Sequence, residues 1–195
     1  MSISVLDLFK IGVGPSSSHT VGPMRAAHDF VAELQRRGLL DQVRRIEAKL
    51  YGSLSATGVG HGTDRAVVAG LMGARPDEVD PDFLVGAVDA VRIDASLPLG
   101  GTTAVPFEWT RDLRLLPVSL PYHPNAMRLA AHGEAGVLYE NTYYSVGGGF
   151  VVDEAQAQSG APAEAAVAVP YPFDTGAELL AQCRRHGLRI SELML

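Results

Sequence analysis

The chain has 195 residues, 47% of them hydrophobic and 19% charged, with a formal net charge of −6. This is a folding composition, and the length suits one domain with a sizeable core plus a tail. The negative balance without a long basic run excludes the electrostatics of nucleic-acid binding, and no apolar run approaches the roughly 20 residues that span a bilayer. The amino terminus, Met1-Ser2-Ile3-Ser4-Val5-Leu6-Asp7, lacks a basic segment followed by an apolar signal core, so a cytoplasmic protein with no membrane partner is expected. Cys183 is the sole cysteine, which leaves no intrachain disulfide and no cysteine-based metal site on this chain.

The first segment with chemical content is Gly14-Pro15-Ser16-Ser17-Ser18-His19-Thr20-Val21-Gly22-Pro23, which concentrates hydroxyls and an imidazole ahead of a helix. Such a loop suits a carboxylate or phosphate at the positive end of the helix dipole, and it equally suits an ordinary N-cap. Met24, Ala27, Val31 and Leu34 then recur at helical spacing until Gly38. Val43, Ile46, Ala48 and Leu50 share the parity of a half-buried strand. That strand runs into a second loop of glycines, hydroxyls and a histidine, Gly52 to Asp64, followed by a helix through Ala66, Val67, Leu71 and Met72.

Asp80 and Pro81 signal the start of a third helix, with Phe83, Leu84, Ala87, Val88 and Val91 as its apolar positions. Beyond Pro98, short runs at 104–109, 113–120, 127–132, 137–144 and 150–152 are separated by Gly, Pro and Asn, and predict strands in a mainly antiparallel sheet. Pro121-Tyr122-His123-Pro124-Asn125 is a third polar loop. Tyr143 to Phe150 is a fourth, whose Gly147, Gly148 and Gly149 fit either a hairpin turn or close approach of a ligand. Residues 154–173 have the composition of a linker, and Asp174 and Thr175 cap a final helix that Gly187 ends.

Named motifs fail. Gly58, Gly60 and Gly62 lack the further glycine and the distant acidic residue of a dinucleotide fingerprint, and neither glycine-rich loop holds a P-loop lysine. No HExxH helix surrounds His123 or His132, and no G-x-S-x-G elbow supports Ser18 and His19 as a nucleophile pair.

Four stretches taken together resemble a known family: GPSSSHTVGP at 14–23, YGSLSATGVGHGTDRAVVAGL at 51–71, HPNAM at 123–127 and YYSVGGGFVVDE at 143–154. They are similar, in this order, to the N-terminal or beta domain of the bacterial iron–sulfur-dependent L-serine dehydratases, and 187–194 resembles the entry into that family's catalytic domain. The resemblance implies an α+β fold, a mixed, mainly antiparallel sheet with helices packed on it, similar to the allosteric substrate-binding domain of phosphoglycerate dehydrogenases. It implies a beta domain over 1–153, a linker over 154–173, and over 174–195 a helix and the start of a connection to a catalytic (alpha) domain absent from this chain.

By the same resemblance the full enzyme converts L-serine to pyruvate and ammonia with a [4Fe–4S] cluster and without pyridoxal phosphate, and it forms a homodimer. His61, His19 and Thr63 would be catalytic. Ser16, Ser17, Ser18, Thr20, His123, Asn125, Tyr143 and Ser145 would bind substrate. Cluster ligands would lie on the catalytic domain, because Cys183 stands outside all four motifs, and this chain alone would be inactive. The alternative function is a regulatory module that binds L-serine and controls that enzyme.

Overall fold

The computed structural model describes residues 12–160 and 170–194, and divides the chain into two compact units, residues 10–163 and residues 1–9 with 164–195. The expectations for the first 11 residues, for 161–169 and for the side chains of Phe83 and Leu84 lie outside the described residues.

In the larger unit, Ser17–Val21 form one wide turn of π-helix that continues into helix α1, Gly22–Arg36. The segment expected as a loop is therefore helical. The Ser16 side chain caps it by accepting the His19 N–H, and the Thr20 hydroxyl donates back to the Ser16 carbonyl. Strand β1 spans Arg45–Tyr51 and buries Ile46, Ala48 and Leu50 on alternate positions.

The second expected loop is also wound into helical turns, α2 (Gly52–Ala56) and α3 (Gly58–His61), before α4 (Thr63–Leu71). The Thr57 N–H and hydroxyl both donate to the Ser53 carbonyl, closing the first turn, and Gly62, at φ +70°, ends one helix and starts the next. Helix α5 covers Pro81–Asp94 with Asp80 as its cap.

Strands β2 (Ser96–Leu99) and β3 (Thr103–Pro106) make a separate hairpin. Pro98 disguises β2 in the sequence, and the run expected as a strand to residue 109 gives way at Trp109–Asp112 to a helical turn, α6. The main sheet adds β4 (Leu113–Leu116), β5 (Asn125–Gly133), β6 (Gly136–Gly147) and β7 (Phe150–Asp153), in the order β4-β1-β5-β6-β7. Pro117 stops β4 short of the expected Leu120. Only β4 against β1 is parallel within that sheet, so the fold is α+β with a mixed, mainly antiparallel sheet.

The registers divide the sheet cleanly. Ile46, Ala48, Leu50, Met127, Leu129 and Ala131 face α1 and α4 in the main core, whereas Glu47, Lys49, Arg128, Glu140 and Thr142 occupy the opposite face. The two helices cross closely because Gly70 of α4 lies against the Met24 carbonyl, and a Cβ there would be 2.7 Å from that of Ala27. At the edge, the Asp112 carboxylate is fully buried and is held by Arg45 Nε at 2.8 Å, Arg111 Nη2 at 2.7 Å and the Glu108 N–H at 2.8 Å. The hairpin of β6 and β7 turns on Gly147, Gly148 and Gly149, all at positive φ, so the turn reading of that triplet holds. Helix α7 (Glu154–Ser159) occupies the first part of the segment read as a linker, started by a capping box of Asp153 and Gln156.

In the smaller unit, helix α8 (Gly176–His186) begins at a capping box of Thr175 and Glu178 and ends at Gly187, φ +66°. Helix α9 follows at Ile190–Leu193. Cys183 is buried on α8. Among the described residues no helix is long and apolar enough to cross a membrane.

Candidate functional site

The pairing register brings the polar segments to one end of the sheet. The C-terminal end of β1 leads to Gly52, which bridges Asn125 at the start of β5, and β5 pairs Ala126 with Tyr144 near the end of β6. Ser145 therefore projects from the helix-covered face at that same end, where the Asn125 side-chain amide donates to its carbonyl at 3.3 Å. Ser145 is 1% exposed and packs against Gly22, the first residue of α1, where a Cβ would collide with its hydroxyl. So the start of α1, the turn after β1, the His123 loop and the end of β6 meet.

The π-turn and α2 supply the centre of this group. His19 Nδ1 lies 2.9 Å from Ser18 Oγ, and His19 Nε2 lies 3.0 Å from Ser53 Oγ. Ser16 Oγ is 3.3 Å from Ser18 Oγ and accepts the His19 N–H. The His61 ring, carried by α3, stands 5.4 Å from that of His19, centroid to centroid, at 35°. His19 is half-buried, and burial together with the nearby His61 lowers its pKa below the usual histidine value. Its neutral form is thereby favoured, and hydroxyls bracket the ring, whereas His61 is exposed.

The remaining expected residues fall into distinct places. Ser17 is exposed on the π-turn, and Thr20 is buried beneath it. Thr63 opens α4 fully buried, with no hydrogen-bond partner for its hydroxyl among the described residues, and the Ser145 hydroxyl shares that condition. His123 is half-buried, burial lowers its pKa, and its Nδ1 accepts the Asn125 N–H at 3.1 Å. Tyr143 is placed apart: its ring belongs to the main core and its hydroxyl lies against Tyr139 and Asn141, farther back along β6.

Ser53 was not among the expected site residues, yet it joins three segments. Its hydroxyl meets His19, its N–H donates to the Pro124 carbonyl at 3.0 Å, and it stands in the turn that Gly52 opens at φ +52°. The Gly-Ser pair straight after an alternating strand is the sequence signal that marks it.

The cluster can bind an anion through hydroxyl and imidazole donors and can exchange a proton at an exposed imidazole. It cannot hold a metal alone, since among the described residues no group of three or more His, Cys, Asp or Glu side chains is placed to do so. The iron–sulfur cluster implied by the resemblance does not fit these residues, whose donors here are hydroxyls and imidazoles and not thiolates.

Comparison with known proteins places the whole chain in one family. The family described as "Serine dehydratase beta chain" matches residues 4–156. L-serine dehydratase 1 of Escherichia coli is 46% identical over 194 residues, 99% of this chain and 42% of that protein. L-serine dehydratase of Streptomyces coelicolor is 47% identical over 197 residues, 100% of this chain and 43% of that protein. The Helicobacter pylori L-serine dehydratase is 39% identical over 194 residues, again 42% of its length. The chain thus spans a little over 40% of the length of the curated relatives it matches.

Proposed function

The chain belongs to the serine dehydratase beta chain family, and from that premise we propose that it supplies substrate-facing loops to an enzyme converting L-serine to pyruvate and ammonia. The observation that carries this reading is the meeting of His19 and His61, 5.4 Å apart, in a hydroxyl-lined group at one end of the sheet.

Dehydration of L-serine removes the α-proton and the β-hydroxide; the resulting aminoacrylate tautomerises to an imine, and water hydrolyses that to pyruvate and ammonia. Two demands fall on the protein: a carboxylate held by hydrogen-bond donors, and a group that takes up and returns a proton. The exposed Ser17 hydroxyl on the π-turn meets the first as a donor, with Ser16, Ser18 and His19 arranging the hydrogen bonds beside it and Thr20 tying the turn to the Ser16 carbonyl. His61 meets the second, being exposed and flanked by Gly60 and Gly62, which leave its ring open to approach. His123 and Asn125 order the surrounding backbone, His123 taking the Asn125 N–H and the Asn125 amide joining the Ser145 carbonyl across the strands. Tyr143 supports the core beneath. A [4Fe–4S] cluster, together with the catalytic domain and homodimer that the resemblance implies, belongs to the further part of such an enzyme.

The test is pyruvate formation from L-serine at saturation by the enzyme containing this chain, with His61→Ala and Ser17→Ala. A proton-transfer role for His61 predicts a fall in kcat of about a hundredfold or more. Intact turnover with only cooperativity or activation altered would replace this reading with a regulatory one.

A further inference from the structure

The hydroxyl–imidazole cluster has a direction, because it begins at a group that can only donate. The His19 backbone N–H points to Ser16 Oγ at 3.3 Å. The Ser16 proton then has Ser18 Oγ at 3.3 Å, the Ser18 proton has His19 Nδ1 at 2.9 Å, and an Nε2–H has Ser53 Oγ at 3.0 Å. In this order each hydroxyl accepts one proton and donates one, and only the Ser53 proton is left without an acceptor in the cluster. In the reverse order His19 Nδ1–H donates to Ser18, Ser18 donates to Ser16, Ser53 donates to the bare Nε2, and Ser16 Oγ receives two protons while its own points nowhere within the half-buried group. Both orders make four bonds, but in the first each of the three hydroxyl oxygens accepts one proton and the bare Nδ1 faces two hydroxyls, Ser18 at 2.9 Å and Ser16 at 3.4 Å, whereas in the second Ser16 accepts twice and Ser53 not at all.

We infer that Ser53 is the terminal donor of a hydrogen-bond chain running His19 N–H, Ser16, Ser18, His19 imidazole, Ser53, and that it presents its hydroxyl proton to the substrate carboxylate. His19, as the Nε2–H tautomer, is the positioning residue behind it. Ser53 is suited to this task because its backbone is fixed, with its N–H on the Pro124 carbonyl and its own carbonyl taking two donors from Thr57. No other hydrogen-bond partner occupies its hydroxyl among the described residues. A donor that is itself the acceptor of an imidazole N–H is polarised toward an anion, so it favours a carboxylate over a neutral group. The inference rests on the proposed serine-binding reading for the identity of the ligand, but not for the direction of the chain.

Two measurements test it. Long-range proton–nitrogen correlation on the full chain labelled with [15N]histidine is expected to report His19 with Nε2 protonated and Nδ1 bare. Ser53→Ala should shift the Nε2 resonance, and Ser53→Thr, which keeps the hydroxyl, should restore it. In the enzyme containing this chain, Ser53→Ala should raise KM for L-serine about tenfold or more with a smaller change in kcat, and Ser53→Thr should recover most of that loss. An Nδ1–H tautomer in the unaltered chain overturns the direction, and an unchanged KM in Ser53→Ala overturns the carboxylate contact. Full turnover in His61→Ala would instead remove the catalytic reading and leave the tautomer result standing.

Discussion

The imidazoles of His19 and His61 lie 5.4 Å apart, close enough that a proton on one disfavours a proton on the other. Burial and His61 together depress the pKa of His19, burial being the larger cause. Replacing His61 with Gln should therefore raise the His19 pKa, yet leave it below about 6.5 because the burial remains. Nitrogen-15 NMR titration reads this directly; an unmoved His19 would mean that the rings do not sense each other.

Asp112 should govern acid stability. Burial by itself would raise its carboxyl, but the bonds from Arg111, the Glu108 N–H and Arg45 override that and hold it below the usual carboxylate value. A depressed folded pKa gives stability that is complete above the unfolded value near 3.9 and is lost as pH falls toward the folded one. Asp112→Asn should cost about 3 kcal/mol at neutral pH and flatten the acid arm of the stability curve, measured by urea unfolding between pH 3 and pH 7.

Gly22→Ala should destabilise the fold by about 2 kcal/mol, because the new methyl would meet the Ser145 hydroxyl and lie 3.0 Å from its Cβ. Ser145→Gly in the same chain should recover most of the loss. Thermal unfolding of the two single variants and the double variant decides it; additive losses would mean that the two residues do not share this space.

Thr63 separates stability from activity. Its hydroxyl is fully buried without a partner among the described residues, so Thr63→Val removes a desolvated polar group at nearly constant shape and should leave Tm unchanged or higher. A fall in serine turnover alongside that unchanged Tm would tie the hydroxyl to the site. A fall in Tm would identify a hydrogen bond that the fold depends on.

On the opposite face of the sheet, burial and Glu154 push the Tyr144 hydroxyl up to about 12, and it donates to that carboxylate at 2.7 Å. With a raised folded pKa the contribution is complete below the unfolded value near 10 and disappears as pH rises through about 12. Ultraviolet titration should find one tyrosine ionising about two units late, and Glu154→Gln should move it earlier.

Much of the fold is written in local patterns. The parity of Ile46, Ala48 and Leu50, the spacing of Met24 to Leu34, and the Thr175 and Gly187 signals each locate an element, because burial of one face and satisfaction of helix ends act over a few residues. The helical winding of the two polar segments was hidden. Serine, threonine and glycine have low helix propensity, and these turns are held by side-chain bonds such as Thr57 to Ser53 that composition does not announce. For the site, hydroxyl and imidazole density marked the polar loops, the family resemblance named His19 and His61 within them, and their adjacency comes from the structure. Ser53 was missed because its importance comes from tertiary contacts with His19 and Pro124, and Tyr143 drew attention by its motif although its ring serves the core.

The bridge between Gly52 and Asn125 extends the β1–β5 pairing beyond the strands and into the site. The segments bearing Ser53 and His123 are thereby ordered when the sheet forms, before any ligand arrives. Little backbone entropy remains to be lost on binding, so the affinity of this end for an anion should depend on its donors and scarcely on temperature-driven loop closure. The amides of Ser53 and Gly52, which donate to Pro124 and Val118, should exchange with solvent as slowly as those of the sheet itself.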